Sequence, residues 1–218
     1  MVDQAWQAVA ALVDPVRRSL YEYVRREHRP VTREEAAQAV DISRNLAAFH
    51  LDKLVEVGML HARYEAPADQ PRGRGRAPKV YEATSDGVTL TVPRRQYELA
   101  ATILADAVAA DPAHAPSAAR RQAGAVGHAI GAASRHGGRA VDRVVRVLAD
   151  LGYEPRLESG GIVLDNCPFH ALAVRHTALI CGLNVEFVTG LLAGLDCDAL
   201  DAELQPRPGG CCVRVRPQ

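Results

Sequence analysis

The stretch that decides the fold is SRNLAAFHLDKLVEVG, residues 43–58. Ala47, Leu51, Leu54 and Val55 recur at helical spacing and give it one apolar face. Ser43 stands where an N-cap is needed, and Gly58 where a chain leaving a helix turns left-handed. Just upstream, Asp41-Ile42 makes a tight turn. Before it, Thr32-Arg33-Glu34-Glu35 fits the S/T-x-x-E capping box of a short helix running through Ala39. Asp14-Pro15 opens a longer helix, the acid as cap and the proline at the first helical position, with Leu20, Tyr21 and Val24 as its buried stripe. Trp6, Val9, Ala10 and Val13 mark a helix earlier still. Downstream, strand candidates at Met59 to Tyr64 and Lys79 to Thr84 flank PADQPRGRGRAP. A helix–turn–helix followed by a two-stranded hairpin is the layout of a winged helix.

That layout assigns roles to particular side chains. Arg44 and Asn45 stand at the start of the second helix of the motif, where base edges are read, and Ser43 can combine capping with a phosphate contact. Arg72, Arg74, Arg76 and Lys79 fall in the proposed wing tip with no acid among them, and cations there gain from counterion release on double-stranded DNA. The formal net charge of the chain is zero, so the pull toward DNA must be local. His50 leans inward and reads as a packing residue.

The remaining chain reads as helices followed by a small sheet. An amphipathic helix runs from Pro93 to about Ala110, and DPAHAP, residues 111–116, breaks it. An Ala/Gly-rich helix follows at about 117–134, where Gly124, Gly127, Gly131 and Ala132 permit close approach of another backbone. A further helix covers Gly138 to Leu151. Strands are expected at Tyr153–Glu158 and Ile162–Leu164, then a cysteine-bearing turn and helices, then a closing pair around Asp201–Gln205 and Cys211–Arg216.

With 218 residues, 48% of them hydrophobic and 24% charged, the chain can build two compact domains rather than a disordered tail. The N-terminus lacks a basic leader before its apolar run, and no segment reaches the ~18 uninterrupted apolar residues of a membrane span. A cytoplasmic protein with no membrane partner is expected, its cysteines reduced.

All five cysteines, Cys167, Cys181, Cys197, Cys211 and Cys212, lie in the last quarter of the chain. Cys167 precedes a proline at a strand end and shares one turn with His170. Cys181 falls on an apolar helix face and reads equally well as core. Cys197, between Asp196 and Asp198, reads as a surface turn residue. Cys211-Cys212 follow the loosened turn Pro208-Gly209-Gly210, and strand alternation puts one of the pair toward a shared site while the other packs. The absence of C-x-x-C pairs argues against a ribbon-type zinc site. A cysteine nucleophile with His170 or His176 as base lacks any accompanying oxyanion motif, so no enzyme is expected.

Two resemblances follow from these residues. ISRNLAAFHLDKLVEVGML is similar to the recognition helix and first wing strand of the arsenic-repressor-like winged-helix regulators, matching at Ser43, Arg44, His50, Leu51, Leu54, Gly58 and Leu60. It implies a homodimer reading a pseudo-palindromic operator. CPFHALAVRHTALICGLNVEFVTGLL with PGGCCVRV resembles the C-terminal region of the repressors of the Suf iron–sulfur assembly operon. That implies an iron–sulfur cluster, typically [4Fe–4S], on Cys167, Cys181 and one of Cys211 or Cys212. Relatives of that kind carry another cysteine in the closing hairpin; Asp201 to Arg207 has none, so the fourth ligand would come from His170, His176, both vicinal cysteines, Cys197 or an exogenous group, with His170 the first choice, and zinc is an alternative cofactor. The expected architecture is α+β: a winged helix-turn-helix at 1–92, a helical linker and dimerisation region at 93–116, and an α/β sensor domain with a small antiparallel sheet at 117–218. A small-organic-ligand sensor and a metal-free thiol switch remain open beside the cluster.

Overall fold

The computed structural model describes residues 2–65, 77–85, 87–135, 137–207 and 209–218. Two compact units divide the chain, Met1–Leu90 and Thr91–Gln218.

Among the described residues the first unit has four helices, α1 (Val2–Ala11), α2 (Pro15–Glu27), α3 (Arg33–Val40) and α4 (Arg44–Glu56). Three short strands, β1 (Val31–Thr32), β2 (Leu60–Tyr64) and β3 (Lys79–Ala83), form an antiparallel sheet in the order β1-β3-β2. The local signals read from the sequence are in place. The Asp14 carboxylate accepts from the Arg17 amide at 3.0 Å. Thr32 and Glu35 make the reciprocal capping box, the Glu35 carboxylate accepting from the Thr32 amide at 2.7 Å. Ser43 Oγ accepts from the Leu46 amide at 3.3 Å. Asp41 and Gly58 take the left-handed conformation, with φ of 55° and 77°, that ends α3 and follows α4. Leu20, Val24, Ala36, Leu51, Leu54, Leu60 and Tyr81 form the core. Strand β1 was not expected: two residues carry no periodicity, and only pairing of Val31 with Tyr81 and Thr32 with Val80 defines it.

The second unit is α+β as expected. Its helices are α5 (Tyr97–Ala110), α6 (Ala115–Ala133), α7 (Ala140–Asp150), α8 (His170–Arg175) and α9 (Thr177–Gly194). Strands β4 (Pro155–Glu158), β5 (Gly161–Leu164), β6 (Leu200–Leu204) and β7 (Val213–Pro217) form an antiparallel sheet ordered β4-β5-β7-β6. Helix α5 starts at Tyr97 rather than Pro93. The preceding backbone is engaged elsewhere, the Gln96 amide donating to the Pro168 carbonyl at 3.1 Å. The break at 111–116 is shorter than expected, because a single 3-10 turn, Pro112–His114, leads straight into α6. Tyr153 does not join β4. Gly152, at φ 87°, ends α7, and the Tyr153 amide turns back to the Leu148 carbonyl at 3.0 Å in a Schellman-type closure.

Helix α9 is long and apolar enough to cross a bilayer by composition, but 56% of it is buried inside the protein, where it is the central core helix. It lies against α6 through glycines from both sides. A Cβ at Gly127 would run into the Phe187 carbonyl, and one at Gly190 or Gly194 into the Gly124 or His128 carbonyl. Close approach was readable in α6 from its glycines; their counterparts in α9 were hidden within an apolar run. Ile103, Leu148, Phe169, Leu183, Phe187, Leu191 and Val215 complete the core around this pair.

Candidate DNA interface and thiol site

In the first unit, α4 buries Ala47, His50, Leu51 and Leu54 and leaves Ser43, Arg44 and Asn45 exposed at its N-terminus. His50 is a packing residue, 7% exposed, with its ring edge-on to Phe49. Arg44 Nε meets Glu34 of α3 at 2.8 Å. Both side chains are about half exposed, so the pair is weakly held and Arg44 remains free to exchange partners. The outward face also carries Leu46, 41% exposed, and Phe49, 57% exposed. Neither was singled out in the sequence, although an aromatic opposite the Ala47-Leu51-Leu54 face was the available signal. Apolar side chains there suit contact with thymine methyl groups in a major groove.

Lys79 is engaged within the unit. Its Nζ contacts Asp52 Oδ1 at 2.6 Å and lies 5.4 Å from the Tyr81 ring centre. The Tyr81 hydroxyl donates to the same carboxylate at 2.9 Å, and burial followed by that bond pushes the phenol well above its ordinary range. Lys79 therefore ties the wing strand β3 to α4, and a phosphate contact would have to compete with Asp52. Arg72, Arg74 and Arg76 lie outside the described residues.

A helix-turn-helix domain family matches residues 12–63. The matched segment runs from the end of α1 into β2 and includes all of α2, α3 and α4. It is of the arsenic-repressor-like type. Such a domain implies a DNA-binding transcriptional regulator. No curated protein and no solved structure matches the chain.

In the second unit, sheet pairing builds a thiol site from distant parts of the sequence. Strands β5 and β7 run antiparallel with Ile162 opposite Val215, and the Cys211 amide donates to the Leu164 carbonyl at 2.9 Å. This sets Cys211 beside the turn that β5 enters, where Cys167 lies. Arg156 and Arg207 brace the strand end through Asp165, at 2.9 and 2.5 Å, and hold its carboxyl down at about 2. Cys181 comes from the first turns of α9, which packs on the sheet.

The sulfurs meet in sequence: Cys167 with Cys211, Cys211 with Cys212, and Cys212 with Cys181. Both members of the vicinal pair thus take part. The expectation that only one would do so rested on strand alternation, but Cys211 and Cys212 precede β7 in irregular backbone, where alternation does not apply. Contact with Cys211, then burial, pushes the Cys167 thiol far above its ordinary range. For Cys211 the contact with Cys167 acts downward, but Cys212 and burial outweigh it and the thiol is pushed up to about 11. Burial likewise raises Cys181. Cys167, Cys181 and Cys211 are thus held toward the neutral thiol, and a thiol loses its proton when a metal takes the sulfur.

Several donors face these sulfurs. The Phe169 amide serves Cys167, the Val213 amide serves Cys211, and Asn184 Nδ2 reaches Cys211 Sγ at 3.2 Å. Among the described residues no three His, Cys, Asp or Glu side chains gather closely enough to hold a single metal ion.

His170 stands outside this chain of contacts. Its amide donates to the Cys167 carbonyl at 3.1 Å, closing the turn, while the residue is exposed at the start of α8. Cys197 is not at the surface as expected. It is 3% exposed, because the backbone folds back after α9, the Cys197 amide bonding the Leu192 carbonyl at 3.0 Å. Its flanking acids Asp196 and Asp198 take the solvent side, and its sulfur faces Arg143 and the Leu195 and Ala140 carbonyls, apart from the other four.

A second set of bonds ties the cysteine turn to the segment leading into α5. Arg95 Nη1 donates to Asn166 Oδ1 at 2.8 Å and to the Cys167 carbonyl at 2.6 Å. Asn166 Nδ2 reaches the Arg94 carbonyl at 3.3 Å and the Gly152 carbonyl at 2.5 Å. With the Gln96–Pro168 bond, residues 94–96 and 166–168 are stitched together. Arg95 and Asn166 belong to no local motif, so nothing in the sequence marks them for this role.

Proposed function

We propose that this regulator is a homodimer similar to the Suf-operon repressors and carries a [4Fe–4S] cluster on Cys167, Cys181, Cys211 and Cys212. The observation that carries the reading is the convergence of four thiols from three separate segments, with amide donors facing their sulfurs. A four-cysteine set is what such a cluster takes. The vicinal pair supplies the ligand that a hairpin cysteine or His170 would otherwise have to give. A zinc ion requires its sulfurs at about 2.3 Å from one point.

When bound, the cluster supplies an oxidisable iron–sulfur centre whose loss removes four links between the turn, α9 and β7. The chain's own residues transmit the change. Cys167 holds the turn at 166–168, and Arg95 and Asn166 hold that turn to residues 94–96 at the start of the second unit. Freeing Cys167 loosens the stitch and shifts the population of the segment that joins the DNA-binding unit to α5. In this account α5 contributes the dimer contact. Ser43, Arg44, Asn45 and Phe49 read the operator, and Arg72, Arg74 and Arg76 contact phosphate.

Anaerobic purification with an absorption spectrum and iron, sulfide and zinc analysis tests the reading. Matched iron and acid-labile sulfide near four per chain, with a broad visible band, is the expected result. A colourless chain with stoichiometric zinc, or with neither metal and a Cys167–Cys211 disulfide, overturns it.

A further inference from the structure

Asn184 lies on α9 one turn beyond Cys181 and has no exposed surface. Ile180, Leu183, Phe187 and Val188 around it on the helix are all buried and apolar. A buried amide without partners is destabilising, and leucine at this position would avoid that cost. Both ends of the side chain are used instead. Oδ1 accepts from the hydroxyl of Tyr153, itself 1% exposed, at 2.6 Å. That bond turns Nδ2 toward Cys211 Sγ at 3.2 Å. A neutral thiol is a weak acceptor. A metal-bound cysteine is a thiolate and a much stronger one, so this amide suits the charged form of Cys211.

We propose that Asn184, oriented by Tyr153, is a positioning residue that donates to the Cys211 thiolate and sets the reduction potential of the bound cluster. The proposal rests on the cluster reading above. One added electron makes the cluster and its thiolates more negative, so a fixed donor stabilises the reduced form more than the oxidised form. The potential is thereby raised, and removing the donor lowers it.

The test uses the full-length chain, reconstituted anaerobically with iron and sulfide. Iron and sulfide content is measured first, then the midpoint potential by mediated dithionite titration. Asn184→Leu removes the donor at similar volume, and Tyr153→Phe removes only the hydroxyl that orients it. Both variants are expected to load as the wild type does. For Asn184→Leu the reduction equilibrium should fall about tenfold, which is about 59 mV for a one-electron couple. Tyr153→Phe should move the midpoint in the same direction by less. A loaded Asn184→Leu chain with the wild-type midpoint overturns the proposal while leaving the cluster reading intact. Should Asn184→Leu fail to fold, an unmoved midpoint in Tyr153→Phe overturns it equally. A wild-type chain that takes up no iron overturns the cluster reading itself, and this inference with it.

Discussion

Helices α4 and α9 carry the two halves of the proposed function in opposite ways. In α4 one apolar face fills the core of the first unit while Ser43, Arg44, Asn45 and Phe49 face outward. In α9 nearly every side is apolar, and Cys181 and Asn184 point into the protein. An outward helix needs only its own sequence to present a reading face. An inward one means nothing until the sheet brings Cys167, Cys211 and Cys212 to it. The first kind of site is written in local pattern, and the second exists only through long-range contact.

The contrast can be broken from the inside first. Cys167→Ser is expected to abolish iron and sulfide binding, whereas Cys197→Ser, equally buried but outside the sulfur chain, should leave both at wild-type levels. If the two variants lose the cofactor equally, metal analysis of the pair removes the quartet from the account. Gly127→Val comes next. Its side chain would meet the Phe187 carbonyl, so unfolding by denaturant should show a loss of about 3 kcal/mol or more. The first unit, whose core is separate, should keep its own transition.

The outward face breaks differently. Phe49→Ala should weaken binding to duplexes selected by the wild-type chain by about 1–3 kcal/mol, roughly fivefold to 150-fold, with thermal stability nearly unchanged because the ring is 57% exposed. Binding to random-sequence duplex should hardly move. Equal losses on both duplexes would mean Phe49 does not read bases.

The smallest effect concerns the capping box. Burial acts to raise the Glu35 carboxyl, but hydrogen bonds from Thr32 and Arg29 outweigh it and leave the value lowered. A depressed carboxylate contributes its stability above its unfolded value, about 4.3, and loses it as pH falls through the folded value. The stability difference between wild type and Glu35→Gln should therefore be present at pH 7 and vanish in acid. A difference that persists at low pH assigns the effect to something other than the ionised cap.

Much of the first unit was legible beforehand because its signals are short-range. Asp14, Thr32-Glu35, Ser43 and Gly58 each specify a cap or a turn within four residues. The α+β character of the second unit was also readable, from helical and strand periods. What escaped was whatever depends on partners far along the chain. Strand β1 exists only against β3, and Cys197 is buried only because the backbone folds back after α9. The role of Arg95 depends on a turn more than seventy residues away. Residue types identified Cys167, Cys181, Cys211 and Cys212 as candidates. Sheet pairing is what brings Cys211 beside the Cys167 turn, and it leaves His170 exposed at the start of α8.

The central claim is that the thiol quartet controls DNA binding through the Arg95–Asn166 stitch. It is tested most directly by measuring, anaerobically, the affinity of cluster-loaded and cluster-free chain for one selected duplex, in wild type and in Arg95→Met. At least a tenfold difference is expected between the two forms of the wild type, and a difference reduced severalfold in Arg95→Met at undiminished cluster content. Equal affinity of loaded and cluster-free wild type contradicts the claim outright, and an undiminished difference in Arg95→Met contradicts the route assigned to it.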